Sequence, residues 1–380
     1  MMSMKITRRL LAASIGGLLI TEALISPAHA SDPTSADAAP APDRARLAAV
    51  AQAVYQERAD RLTRPPEAKA KAQIAASGRF QAQRAADGRR LEQRRQMYVR
   101  LDGGNSHAQV DITPLGLRVA GTKAIFRVQE HTKLYYAGAT EEERAQGLDY
   151  EEYALDHVLT FRYSGSAWQL DEARPTEKAN GAEVPTQFDD GRQTVGAPDP
   201  REAPASTARG PSDRALPATS AAAAARKKHI IWYGEKYVIK PNKAYRVYRN
   251  DCTNFVSQAQ RHAGYPYVGS GASNRKNNKK WFYGRTTKST SFTWAAAKNW
   301  GLFWAYRTLS YRNVWALTPG DLLQADWDGG GKDHTMIVVN WLKGGERLLN
   351  YHTRNTRHKK LSRLLAENRK ATWYPRGTME

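Results

Sequence analysis

The spacing of apolar residues predicts two helices near the start of the chain. Between residues 43 and 62, apolar side chains such as Leu47 and Val54 recur at helical spacing, and Pro65-Pro66 ends the element. Residues 67–97 are rich in Ala, Gln, Arg and Lys and contain few apolar positions. They therefore predict a second helix that is more exposed to solvent.

Beyond Gly103-Gly104 the apolar residues recur at every second position, which is the period of a strand. Val110 alternates with polar residues, and so do Ala124 and Phe126. Further residues with this alternation are Ile112, Val128, Leu155, Leu159, Phe161, Tyr163, Trp168 and Leu170. Helices followed by an antiparallel sheet predict an α+β domain over residues 43–174. The element order resembles that of nuclear-transport-factor-like and cystatin-like modules.

The first thirty residues have the pattern of a signal peptide. Basic residues precede an apolar stretch over residues 10–25, and Ala28-His29-Ala30 supplies small residues for cleavage. The pair Arg8-Arg9 leaves both the general and the twin-arginine export routes open. No later segment is apolar enough to cross a bilayer, so we expect a secreted protein, either free or associated with the cell wall.

Composition separates the remaining regions. Residues 31–42 consist mainly of Ala, Pro, Asp and Ser and predict a disordered leader. Residues 175–227 are rich in Pro, Ala and Ser and predict a linker. A second domain is then predicted over residues 228–380. The formal net charge of +21 implies attraction to polyanions, which for an exported protein include wall polymers.

Cys252 is the only cysteine of the chain, so it has no disulfide partner within the molecule. An unpaired thiol in an exported protein is prone to oxidation, which favours a chemical role for the sulfur. Asp251 and Thr253 are capping residues, and Phe255, Ala259 and Ala263 recur at four-residue intervals. We therefore expect Cys252 in the first turn of a helix, where unpaired N–H groups favour a thiolate.

His334 is the candidate base for this nucleophile. It begins the apolar run Thr335 to Val339, which predicts a central strand after the strand Leu322 to Trp327. Thiolate and imidazolium would stabilise each other as an ion pair. The following strand carries His352 as the third catalytic residue that orients His334, with Asn350 as the alternative. Three further residues are candidates for substrate or oxyanion contacts, with capping or packing as their alternative role: Asp251, Asn254 and Tyr248.

The run Asp251-Cys252-Thr253-Asn254-Phe255-Val256-Ser257-Gln258 resembles the signature of the putative amidase domain family, within the papain-like cysteine hydrolases. Further agreement comes from Trp281-Phe282-Tyr283 with Ser291 to Trp294, from Gly320 to Gln324 and from His334. The resemblance covers about residues 235–360 and implies a papain-like α+β fold and amide-bond hydrolysis. The helix that precedes the cysteine in that family is not evident before Tyr245.

These observations predict an exported amide hydrolase with a Cys252–His334–His352 triad. The expected substrate is a peptide or amide bond of cell-wall peptidoglycan, because a cationic exported protein concentrates on an anionic wall. No metal, organic cofactor or specific nucleic acid is expected to take part. Two alternatives remain: a catalytically idle protein that binds wall polymer through basic and aromatic residues, and a secreted peptidase that acts on proteins.

Overall fold

Two helices pack on a four-stranded antiparallel meander in the N-terminal part of the protein, residues 39–176. A computed structural model of the chain describes residues 39–63, 74–176, 203–209 and 220–379. Helix α1 spans Arg44–Asp60 and helix α2 spans Gly78–Asp102. The first predicted helix is confirmed. The second begins later than predicted, because Ser77 accepts a hydrogen bond from the backbone of Phe80 and caps it.

The meander follows directly on α2. Its strands are β1 (Asn105–Ala120), β2 (Lys123–Tyr136), β3 (Tyr150–Tyr163) and β4 (Trp168–Pro175), with the short helix α3 (Glu141–Ala145) between β2 and β3. Each strand pairs antiparallel with the next. The predicted apolar residues of β2 lie in the core beneath the two helices, with Ala124 and Phe126 fully buried. The meander thus confirms the strand pattern read from the sequence.

The C-terminal part, residues 203–379, is a sheet with an apolar layer on each side and helices in both layers. Its helices are α4 (Ala221–Tyr237), α5 (Cys252–His262), α6 (Phe292–Ala295), α7 (Ala297–Trp304) and α8 (Leu361–Glu367). Its strands are β5 (Leu309–Ser310), β6 (Leu322–Asp326), β7 (His334–Leu342), β8 (Glu346–Tyr351), β9 (Thr356–Lys360) and β10 (Thr372–Gly377).

One ten-stranded sheet runs through both parts. Its order is β1-β2-β3-β9-β8-β7-β6-β10-β5, and β4 also pairs with β3. The two parts meet where Glu152 and Tyr153 of β3 pair with Arg357 and Thr356 of β9. All of these pairings are antiparallel. Helices with a large antiparallel sheet confirm the predicted α+β class, while the narrower likenesses to transport-factor-like and papain-like folds stay predictions.

Buried ion pairs reinforce this junction. Asp102, at the end of α2, accepts hydrogen bonds of 2.8 and 2.9 Å from Arg363 of α8 and of 2.7 Å from Lys360. Burial alone would raise the pKa of Asp102, but the hydrogen-bonded Arg363 guanidinium and the Lys360 ammonium hold it below its ordinary value. Asp102 therefore stays ionised and links the first helical layer to the C-terminal part.

The predicted signal peptide at 1–30, most of the leader at 31–42 and most of the linker at 175–227 lie outside the described residues. The end of the predicted linker is helical, since its alanine run forms the first turns of α4, capped by Ser220. Lys227 in this stretch is buried and bonds Asp321 at 2.8 Å. The predicted domain boundaries stay predictions. Within the described residues, no helix combines the length and apolarity of a membrane span.

The two sides of β7 pack against different layers. Ile337 and Val339 belong to the apolar cluster shared with α4, α5 and α7, and we call this side the α5 face. Met336 and Val338 belong to a cluster with Leu349 and Trp373 on the opposite face. Since side chains alternate along a strand, this division fixes the side to which each neighbouring residue points.

Candidate functional site

Cys252 is the first residue of α5, as the sequence predicts. Asp251 holds the position before the helix, but its side chain makes no cap hydrogen bond to α5. One carboxylate oxygen instead accepts hydrogen bonds from the Tyr248 backbone at 2.7 Å and from Asn254 at 2.9 Å. The expected capping role of Asp251 is therefore wrong: its carboxylate organises the turn that precedes the cysteine.

The sulfur of Cys252 lies against the start of β7. It is 3.8 Å from the carbonyl oxygen of Asp333 and 3.7 Å from the Thr253 hydroxyl, which in turn lies 3.0 Å from the hydroxyl of Thr335. Burial raises the pKa of the Cys252 thiol, although hydrogen bonds from Thr253 and from the Thr335 backbone act in the opposite direction. The site thus holds the sulfur as a buried thiol.

His334 begins β7, immediately beside this backbone contact. Its ring packs against Trp327 and Tyr351, with centroid separations of 5.6 and 5.0 Å. Strand alternation puts it on the side of Met336, whereas Thr335 points to the α5 face and contacts Thr253. Among the hydrogen bonds of the described residues, none joins the His334 ring to the sulfur of Cys252.

The charge states of the two residues follow from their burial. Burial, together with the positive charge of Arg354, lowers the pKa of His334 to about 3. The pKa of the Cys252 thiol is raised, as burial disfavours the thiolate. Both directions favour the neutral thiol and the neutral imidazole. They therefore contradict the ion pair expected from the position of Cys252 at a helix start.

His352 lies on the α5 face, one residue beyond β8, with both ring nitrogens engaged. Nδ1 is 2.6 Å from a carboxylate oxygen of Asp251, and Nε2 is 2.9 Å from the backbone oxygen of Tyr237. A carbonyl oxygen only accepts hydrogen bonds, so Nε2 carries a proton. The ring also stacks on Phe255 at 4.0 Å between centroids. The structure therefore brings His352 to the residue that precedes Cys252.

Three other candidates make buried contacts of their own. Asn350 donates to the backbone oxygen of Gly234 and accepts from the backbone of His358. Asn254 accepts a 2.8 Å hydrogen bond from the Trp294 indole. The hydroxyl of Tyr248 accepts a 3.0 Å hydrogen bond from Arg246. Asn254 and Tyr248 thus have positioning roles around the start of α5, whereas Asn350 joins α4 to β9.

Tryptophan side chains bond further polar residues of α5. The indole of Trp281 donates to Ser257 at 3.2 Å, and the indole of Trp300 donates to Gln260 at 3.0 Å. Trp281 is fully buried and Phe282 nearly so, which anchors this stretch in the core. A buried indole needs a partner for its N–H, and α5 supplies acceptors along one side. These contacts fix α5, and with it Cys252.

Further buried polar residues, which the sequence did not mark as functional, are linked by hydrogen bonds to the surroundings of the Cys252 sulfur. Thr335 links Thr253 to the amide of Gln324, which lies 3.3 Å from the Thr335 hydroxyl.

Lys332 is a second group that the sequence did not mark. Burial and, to a lesser degree, the charge of Arg376 lower the pKa of Lys332 to about 7. The sequence signal that could have identified Lys332 is its position between a glycine-rich turn and a buried strand.

A loop rich in aspartate precedes His334. Carboxylate oxygens of Asp326, Asp328 and Asp333 lie within 4.8 Å of one another. Asp326 accepts hydrogen bonds from the backbone of Gly329 and Gly331, at 2.7 and 3.1 Å, so it also closes the turn. The pKa of Asp333 is raised by burial and by the two neighbouring carboxylates. An acidic cluster with this structural use does not by itself define a metal site.

Comparisons with known proteins give matches to part of the chain. A family described as "Putative amidase domain" matches residues 224–375. The chain is also similar to two proteins of Bacillus subtilis (strain 168). "Uncharacterized protein YhbB" is 32% identical over 133 residues, which are 33% of this chain and 41% of that protein. "Uncharacterized protein YjcM" is 33% identical over 144 residues, which are 32% of this chain and 29% of that protein.

The chain spans less than half the length of these two relatives. Among solved structures, a conserved protein from Planctomyces limnophilus DSM 3776 aligns with 16% identity over 34% of this chain and 91% of its own. Its TM-score of 0.19 gives no support to a shared fold. The match of residues 224–375 to the family described as "Putative amidase domain" is the comparison that bears on the C-terminal part.

Proposed function

We propose that the C-terminal part is a papain-like, cysteine-dependent amide hydrolase with Cys252 as the nucleophile and His334 as the general base. The observation that supports this proposal most directly is the position of Cys252. Its sulfur stands at the first residue of α5 and 3.8 Å from the backbone of Asp333, next to the strand residue His334. The match of residues 224–375 to an amidase family supports the reaction class.

In the proposed reaction the sulfur attacks an amide carbonyl carbon while His334 accepts the thiol proton. The carbonyl electrons move to oxygen, and the N–H groups at the start of α5 stabilise the resulting oxyanion. When the C–N bond breaks, His334 returns the proton to the leaving amine and a thioester remains. Water then attacks the thioester with His334 again as base, which releases a carboxylic acid and restores the thiol.

Because the resting groups are neutral, the proton transfer accompanies attack and no ion pair is formed beforehand. The proposal requires the His334 ring to turn from Trp327 and Tyr351 toward the sulfur when substrate binds. It also requires that substrate reach the thiol of Cys252, which is buried in the resting structure. His352 is proposed as the third member, a positioning residue that acts through Asp251, and Asn350 is the alternative.

The proposed substrate is a peptide or amide bond of cell-wall peptidoglycan. The formal net charge of +21 favours accumulation on an anionic wall, and the signal-peptide pattern of the sequence supports secretion. Neither a metal nor an organic cofactor enters the proposed steps. A secreted peptidase that acts on other proteins would use the same residues, and the choice of substrate separates the two.

The test measures release of new amines from purified peptidoglycan and from casein. Wild-type protein should release amines from peptidoglycan, and Cys252→Ser and His334→Ala should each lower the rate by at least about 100-fold. His107→Ala, at an exposed histidine of β1, serves as the matched control and should keep full activity. Release from casein alone would identify the peptidase alternative. No release of amines that depends on Cys252 would refute the hydrolase.

A catalytically idle, polymer-binding protein is the second candidate. It is favoured by one observation, the placement of the His334 ring on the face of β7 away from α5. In that case wild type and Cys252→Ser would sediment equally with purified peptidoglycan, and added salt would release both because it screens charge. The amine-release assay on the same samples would then show no turnover.

A further inference from the structure

A cavity of about 390 Å³ lies between the helices α1 and α2 and the strands β2 and β3. Its far wall is built by the C-terminal part, through residues of β8, β9 and α8. The volume falls within the range of about 300 to 1,000 Å³ that small-molecule sites occupy. None of the proposed catalytic residues lines it, so the cavity is a separate feature of the molecule.

The inner wall of the cavity carries a buried polar cluster. A carboxylate oxygen of Glu130 lies 2.6 Å from Nε2 of His157, and the other accepts a 3.0 Å hydrogen bond from the Tyr153 hydroxyl. The ring of Tyr55 packs on His157 with 4.2 Å between centroids. Tyr55 is 1% exposed and His157 is 3% exposed, so both are cut off from bulk water.

Two atoms of this cluster have no hydrogen-bond partner among the described residues: the hydroxyl of Tyr55 and Nδ1 of His157. Buried polar atoms in folded proteins are nearly always paired, and an unpaired one calls for an explanation. Both atoms belong to residues that line the cavity. A molecule that fills the cavity would supply the missing partners.

Three arginines at the outer part of the cavity have no close ion pair among the described residues, and the lining as a whole holds five basic side chains against four carboxylates. Arg90 and Arg94 lie one turn apart on α2, and Arg354 follows β8; all three are solvent-exposed. Among the ion pairs of the described residues, none within 4.0 Å involves these three arginines. The lining carboxylates have closer partners, as with Asp87 on Arg58 and Glu367 on Lys359, although Glu367 also raises the pKa of Arg94 from a longer distance.

We propose that this cavity binds a small organic anion. The charged group, a carboxylate or a phosphate, would lie among Arg90, Arg94 and Arg354, since guanidinium groups bind both kinds of anion in bidentate fashion. A flat apolar body would pack along the tyrosines, and a hydroxyl at the far end would pair with Tyr55 and His157. This proposal stands independently of the proposed hydrolase.

Two residues that line the cavity also act on the proposed general base, His334. Tyr351 lines the cavity and contacts the His334 ring at 5.0 Å between centroids. Arg354 lines it as well, and its positive charge helps to lower the pKa of His334. An anion bound to Arg354 would offset that charge. Occupancy of the cavity would thus shift the titration of His334 upward, which provides a second readout.

The test uses calorimetric titration of the purified full chain with three probes that all carry the far hydroxyl: 4-hydroxybenzoate, 4-hydroxyphenyl phosphate and the uncharged 4-hydroxybenzamide. We expect one of the two anions to bind with submillimolar affinity and to bind at least about tenfold more tightly than the amide. The tighter of the two identifies the charged group as carboxylate or phosphate. Absence of binding by both anions would overturn the proposal.

Variants locate the site. The double variant Arg94→Gln/Arg354→Gln should weaken anion binding by about tenfold or more. The matched double variant Arg89→Gln/Arg118→Gln removes the same charge at exposed arginines outside the cavity and should leave affinity unchanged. Tyr55→Phe removes an unpaired hydroxyl, so it should keep the melting temperature and still weaken binding. Binding that survives the first double variant, or falls equally in the second, would refute the assignment.

Discussion

The imidazole of His352 and the carboxylate of Asp251 are 101 residues apart in sequence and 2.6 Å apart in the fold. Both side chains are 1% exposed. Nε2 of the same ring donates to the backbone oxygen of Tyr237, at the end of α4. The histidine therefore ties α4, the end of β8 and the turn before Cys252 to one another. Its contacts explain how the nucleophile candidate is held although Asp251 does not cap α5.

Breaking this pair should destabilise the protein strongly. Removal of one partner leaves the other buried without compensation, so His352→Gln and Asp251→Asn should each lower the free energy of unfolding by about 3 kcal/mol. Chemical denaturation measures the change, and Asp111→Asn, at an exposed position of β1, is the control. A loss within the error of that control would show that the pair contributes nothing.

The thiol of Cys252 should react slowly in the folded protein. Its pKa is raised by burial, so little thiolate forms near neutral pH and the sulfur is hard to reach. We expect iodoacetamide to label native protein at pH 7.5 at least about tenfold more slowly than urea-unfolded protein. Mass spectrometry follows the labelling. Rapid labelling of the native state at pH 6 would instead point to the thiolate that a helix start favours.

His334 should make the fold sensitive to acid. Its pKa is about 3 in the folded protein, against an ordinary value of 6.5, so between these values the unfolded chain binds a proton that the folded chain does not. Stability therefore falls as the pH falls through this range, at up to about 1.4 kcal/mol per pH unit. From pH 7 to 5, wild type should lose about 2 kcal/mol more than His334→Gln does.

Urea midpoints at the two pH values measure this difference. Comparing the slopes of stability against pH removes any constant packing effect of the substitution. Arg354→Gln is the informative second variant, because it takes away the positive charge that helps to lower the pKa of His334. Its loss of stability between pH 7 and 5 should stay close to that of wild type, because burial is the main cause of the lowered pKa of His334. Equal slopes in all three proteins would mean that His334 is protonated as easily in the folded chain as in the unfolded one.

The N-terminal and C-terminal parts should unfold together. The sheet is continuous from β3 to β9, and Asp102 bonds Arg363 and Lys360 across the junction. Asp102→Asn should lower stability by about 3 kcal/mol and shift the exchange of backbone amides in both parts alike. Hydrogen exchange with mass spectrometry resolves the two parts, and Asp43→Asn, at the exposed start of α1, is the control. Two separate transitions would contradict this prediction.

Local sequence patterns predicted the individual helices and strands better than they predicted which strands pair. The alternation in β2 and the four-residue repeat of α5 were sufficient to predict these two elements, because each pattern reflects one apolar layer beneath the element. The start of α2 was misplaced because residues 67–97 contain few apolar positions to mark it. The pairing of β3 with β9 joins residues about 200 positions apart and leaves no local signal, so the sequence contained no indication of the continuous sheet.

The same limit applies to the site. Cys252 was correctly predicted at a helix start, since capping residues and the apolar repeat are adjacent to it. The side to which His334 points was not predictable, because residues 335–339 are apolar or small on both sides and show no alternation. The contact of His352 with Asp251 depends on how β8 lies against α5. Only the assembled fold supplies that relation.

The hydrogen bonds between β3 and β9 also determine how the folded protein responds to a cut in its backbone. A protease that cut the backbone between residues 177 and 202 would sever the covalent connection, yet β3 and β9 would keep the halves paired. The nicked molecule would migrate as two bands in denaturing gels and as one particle in native buffer. Loss of chain continuity in this protein is thus separable from loss of its architecture.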